Sequence, residues 1–133
     1  MARATPPDSR RSWAEAAEQQ LRPVQLAALA VRVAIDVVRS SRSPADVLAD
    51  GSDPLLASVS GLLDWLTHAA VPTGLEAAAA ELQAAAGVYR NAAVVYPGLS
   101  DPNEESHAAR SRACDAMLEQ GEHHVAMFRS LVP

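Results

Sequence analysis

Residues 73–98 read TGLEAAAAELQAAAGVYRNAAVVYPG. Within this stretch Leu75, Ala78, Leu82, Ala85, Tyr89, Ala92 and Tyr96 recur at alternating steps of three and four. That spacing returns an α-helix to the same face each turn. Alanine, the best helix former, fills six of the remaining positions. Thr73 and Glu76 make a capping box at one end, and Pro97-Gly98 stops the helix at the other. Every second position of the seam is alanine, which lets a neighbouring helix backbone approach closely. Glu76, Gln83 and Arg90 form the opposite, polar stripe.

The same grammar repeats outward in both directions. Upstream, Asp53-Pro54 caps a helix with Leu55, Val59, Leu62, Leu66 and Ala69 in one row. Leu56, Leu63 and Ala70 form the row beside it, and Pro72 ends it. Ser43-Pro44-Ala45-Asp46 opens a short helix that Gly51 stops. Further upstream, Ser12 with Glu15 makes a second capping box. Pro23 either kinks the helix that follows or restarts a second one. From Val24 towards Arg42 the polar residues Gln25, Arg32, Asp36 and Arg39 form one narrow stripe in an otherwise apolar run. This predicts a helix covered on most sides at the centre of the bundle, with the stripe as its exposed edge. Downstream, Asp101-Pro102-Asn103-Glu104 opens a last helix running to about Leu131. Its apolar face is Cys114, Met117, Leu118, Gly121, Val125, Phe128 and Val132, and Gly121 is a place where it could bend. The expected fold is all-α. It is an antiparallel bundle of four principal helices plus one short helix, residues 12–133, preceded by a flexible N-terminal arm, residues 1–11.

Composition agrees. Of 133 residues, 49% are hydrophobic yet only 4% aromatic, and 28 alanines make up the difference. There is no lysine, so all 11 fixed cations are arginine. This excludes an all-β domain, a disulfide scaffold and a disordered chain. A net charge of -5 argues against a nucleic-acid binder, and the small basic patch of Arg3, Arg10 and Arg11 is interrupted by Asp8. A lone cysteine, Cys114, suits a reducing compartment, so a cytoplasmic protein is expected. No signal peptide is read at the N-terminus. The most apolar stretch, Val24–Val38, is too short and too charged to span a membrane.

Chemistry-bearing residues are sparse. His107 and His124 lie on or beside the apolar face of the last helix, but about 25 Å apart at 1.5 Å per residue, too far to share an ion. His123 points about 100° away from His124. Glu104-x-x-His107 matches one element of carboxylate-bridged di-iron bundles, but those need a second element that this chain lacks. Asp64 with His68, and Glu119 with His123, read as solvated helix-face pairs. Cys114 falls mid-face with no activating histidine and reads as a buried thiol. No metal site, cofactor motif or catalytic constellation is expected.

One short string carries a resemblance. Residues 87–96 include Arg90-Asn91 followed by Tyr96. This resembles the Arg-Asn-x-x-x-His-x-Tyr element of HEPN helical-bundle ribonucleases and their toxin–antitoxin relatives, over about ten residues. The family's catalytic histidine falls at Val95, which cannot transfer a proton, and the closing tyrosine is out of register. The resemblance therefore implies an RNA-related module that has lost the nuclease. On the plainer reading Arg90 is the polar stripe of an amphipathic helix and Asn91 a helix-end residue.

The leading expectation is a non-enzymatic interaction or regulatory protein that binds a protein partner or itself, an oligomer held by apolar surface that so small a bundle leaves over. Trp65 on a helix flank, with Arg90, His124 and Phe128, supplies contact candidates. The rival is a small apolar ligand held between alanine-lined helices, with Tyr89, Tyr96, His107 and Cys114 as lining.

Overall fold

A computed structural model describes residues 7–40, 52–96 and 104–133. Four helices account for nearly all of them: α1 Pro7–Ser40, α2 Ser52–His68, α3 Glu76–Val95 and α4 Glu104–Leu131. Among the described residues there is no strand. The protein is an all-α helical bundle. The short helix expected from Ser43 to Gly51 lies outside the described residues.

The seam from Leu75 to Tyr96 is the heart of the core. Leu75, Ala78, Leu82, Ala85, Tyr89, Ala92 and Tyr96 are all buried. The apolar face of α4 packs on it through Cys114, Leu118, Gly121, Val125 and Phe128. Among the described residues this is the most extensive helix pairing. Small side chains at Ala85, Ala92 and Gly121 allow it, because they let the two backbones close on one another. Gly121 does not end or divide α4; the Tyr89 ring rests against it instead, so close that a Cβ there would lie 2.7 Å from the ring. Contacts between α3 and α4 run in opposite sequence order. Arg110 bonds to the carbonyls of Val95 and Tyr96, Cys114 to that of Ala92, and His124 to Glu81.

The cap of α3 differs from the Thr73–Glu76 box. Leu75 is the cap residue and makes no side-chain cap bond. The Glu76 carboxylate accepts from the Gly74 N–H at 2.9 Å, and Leu75 N–H donates to Pro72 C=O at 3.0 Å. Gly74 sits at φ +95°, a left-handed conformation that a side chain would strain. A tight turn thus precedes the helix, which starts at Glu76.

α1 departs most from expectation. It begins at Pro7, ahead of Ser12, and runs unbroken through Pro23. Pro23 removes one backbone hydrogen bond, to the carbonyl of Gln19. Both residues are exposed, so water reaches that carbonyl. Leu21 and Val24, on either side of the proline, are fully buried and hold the helix to the core across the defect. The second correction concerns the run after Val24. It does not occupy the centre of the bundle, and the polar stripe is not its only exposed edge. Gln25 and Arg32 are half-buried against α4, while Leu26, Leu29 and Val33 face solvent.

Candidate interaction surface

α1 buries Trp13, Ala17, Leu21, Val24, Ala28, Val31 and Ile35 in the core. A straight continuation of that phase places a second row on the opposite side: Glu15, Gln19, Arg22, Leu26, Leu29, Val33 and Asp36. The steps are four, three, four, three, four, three, a heptad repeat. Every residue in this row is exposed. Its ends are polar and its middle is not. Leu26 is 63% exposed, Leu29 57% and Val33 52%, with Ala30 exposed beside them. Burying a leucine or valine is worth about 1.5–3 kcal/mol relative to leaving it in water. Three such side chains in one row, on the outer face of one helix, leave that free energy available to whatever covers them.

The flank of α1 beside this row is tied to α4 by long polar side chains. Arg129 donates from Nε and Nη2 to the two Glu18 carboxylate oxygens at 2.8 and 3.1 Å, and from Nη2 to Gln25 at 3.0 Å. Arg32 Nη1 donates to Glu122 at 2.9 Å. Backbone contact between α1 and α4 is correspondingly slight. The arginines span the gap between the two helices. Beside the first turns of α1 is an open groove of about 550 Å³ lined by Arg11, Glu15, Glu18, Gln19, Arg22 and Val132. It mixes both charge signs.

The residues singled out from sequence fall in different places. Trp65 is half-buried, its ring centroid 5.6 Å from that of Trp13, which in turn lies 6.2 Å from Phe128. These three aromatics close one end of the core. Tyr89, Tyr96 and Cys114 are buried together along the α3–α4 seam. The Cys114 thiol donates to Ala92 C=O at 3.4 Å. Burial, then the charge of Asp115, pushes this thiol up to about 11. Tyr89 is pushed up to about 12 by burial and by Glu122, and Tyr96 to about 12 by burial and by Cys114. A thiol held protonated in this way is a poor nucleophile and metal ligand. Arg90 and Asn91 are exposed. His124 is half-buried and bonds to Glu81 at 2.7 Å. His68 bonds to the Asp64 carbonyl one turn back and is exposed, the expected helix-face pair. The side chain of His107 lies outside the described residues. Among the described residues no three His, Cys, Asp or Glu side chains gather as a metal-holding cluster. None of their helices is long and apolar enough to cross a membrane.

Sequence reasoning missed the Leu26–Leu29–Val33 row and the Arg110 cap on α3. The row was detectable. With Pro23 left as a possible break, the outward phase set by Glu15, Gln19 and Arg22 was not carried forward. Carried through the proline, it falls on Leu26, Leu29 and Val33. Arg110 gave no such signal, because its targets are main-chain carbonyls about fifteen residues away.

No protein-family model matches the chain, and no curated protein or solved structure matches it either. The Arg90-Asn91 resemblance thus rests on those ten residues alone.

Proposed function

We propose that this chain is a non-enzymatic helical-bundle interaction protein that works through the outer face of α1, by binding a protein partner or a second copy of itself. The supporting observation is the exposed row of Leu26, Leu29 and Val33 on a helix whose other face is fully committed to the core. Exposed apolar rows at heptad spacing suit helix-on-helix association. A chain whose single cysteine has no second cysteine to pair with fits a cytoplasmic, reducing setting.

The test compares the native chain with Leu26→Glu/Leu29→Glu in sedimentation and in retention of partners from host extract. Neither side chain is needed by the core, so the variant keeps its helical spectrum. It is expected to lose the association that the native chain makes. An interaction that survives the double change, or a native chain that associates with nothing, overturns the reading.

One observation favours the ligand-binding alternative. Tyr96 Oη is buried with no hydrogen-bond partner among the described residues. A hydroxyl left so is a polar handle for a small ligand. A ligand held there would raise the melting temperature of the native chain and not of Tyr96→Phe.

A further inference from the structure

We infer that the partner of the α1 face is a second copy of this chain, paired antiparallel about a two-fold axis near Leu29. The inference rests on the reading above and specifies its partner. It follows from how charge is placed along the row. Arg22 lies seven residues before Leu29 and Asp36 seven residues after it. All three sit in one heptad column, and both charged residues are exposed. They bracket the apolar segment at its two ends, about 21 Å apart along the helix.

A two-fold axis at the middle of this column brings Arg22 of each copy to Asp36 of the other. Leu29 then meets Leu29, and Leu26 of each copy lies next to Val33 of the other. Exposed Ala30 beside the row lets the helices approach. An isologous contact of this kind closes on itself and leaves no free apolar end for a third copy. The parallel arrangement sets Arg22 against Arg22 and Asp36 against Asp36, two like-charge contacts that oppose it. The row is thus self-complementary in one orientation only. Asp36 already interacts within its own chain, and the two oxygens of a carboxylate accept several donors at once. Arg22 has the length to reach a carboxylate displaced by a turn of helix. With three large side chains per copy, the dimer is weak and dissociates on dilution through the micromolar range.

Two experiments test the pairing. The first is sedimentation equilibrium from about 5 to about 500 µM, a span chosen to bracket a weak dimer. The native chain dimerises, while Arg22→Asp alone and Asp36→Arg alone each weaken the dimer about tenfold, since each replaces two ion pairs by two repulsions. The double variant Arg22→Asp/Asp36→Arg restores it, because each reversed charge again meets its opposite. The second is oxidative cross-linking of single cysteine variants, with the buried native Cys114 as a silent background. Leu29→Cys links to itself, and Leu26→Cys links to Val33→Cys when the two proteins are mixed. Self-linking at positions 26 and 33, or a double charge variant no better than the singles, overturns the antiparallel pairing. A native chain that stays monomeric at all concentrations overturns self-pairing. If it then still retains a partner that Leu26→Glu/Leu29→Glu loses, the interaction reading stands and only the identity of the partner has failed.

Discussion

Glycine 121 and tyrosine 89 illustrate how single atoms set the spacing of this bundle. A Cβ at position 121 would meet three ring atoms of Tyr89 at 2.7, 2.8 and 3.0 Å. Tyr89 is itself fully buried and has nowhere to retreat. Gly121→Ala gains about 1 kcal/mol in helix propensity. It loses more to overpacking, which costs roughly 1–3 kcal/mol in a tight core. The net change is a destabilisation of about 1 kcal/mol. Gly61 and Gly87 have nothing within 4 Å of the added atom, so Gly61→Ala and Gly87→Ala stabilise. Their gain is on the order of 0.5–1 kcal/mol each. Denaturant titration of the three variants reads both signs. An alanine at 121 that stabilises as the others do would mean that the α3–α4 contact is looser than described.

At the scale of the helix, α1 carries a defect and a function in one continuous rod. Its proline sits where the lost bond faces water and where Leu21 and Val24 anchor both sides. Pro23→Ala therefore restores a hydrogen bond and removes a clash without disturbing any buried contact. An interior proline costs about 3 kcal/mol, offset in part by its restriction of the unfolded chain. Pro23→Ala is expected to stabilise the protein by about 1–2 kcal/mol, read from chemical denaturation. Loss of stability would show that the proline shapes the helix for its neighbours. The same rod sets the outer row in register from Glu15 to Asp36, so its two halves present one surface. The Arg129–Glu18 pair is solvent-facing and contributes less than about 1 kcal/mol.

For the molecule as a whole, the α3–α4 seam makes stability depend on pH in the alkaline range. Tyr89, Tyr96 and Cys114 all hold their protons more tightly than in an unfolded chain, chiefly because burial disfavours the charged forms. The ordinary values are 10.0 for the tyrosines and 9.0 for the thiol, against about 12 and about 11 in the fold. Above pH 9 the unfolded chain releases protons that the folded chain keeps, so stability falls as pH rises. The contribution is complete below pH 9 and is lost as pH climbs through 11 and 12. Melting temperatures measured from pH 8 to pH 12 are expected to drop progressively over that window. Tyr96→Phe removes one of the three groups and makes the drop shallower. A flat profile to pH 12 would place these groups in contact with solvent.

The sequence by itself determined most of the helices and most of the core. The α3 seam, the Leu55–Val59–Leu62 row and the Cys114–Phe128 face are all local periodicities, and periodicity needs only the neighbouring residues of one helix. The start of α3 escaped it because the left-handed Gly74 turn is set by one residue's backbone and leaves no periodic trace. Only the tertiary structure decided which side of α1 met the others. A helix that is apolar nearly all round has two sides of equal local merit, and burial goes to the one that more partners can reach. Trp13, packed against Trp65 and Phe128, fixed the inner side and left Leu26, Leu29 and Val33 outside. The candidate surface is thus a property of assembly: its residues are plain in the sequence, and their exposure is set by contacts made elsewhere along the same helix.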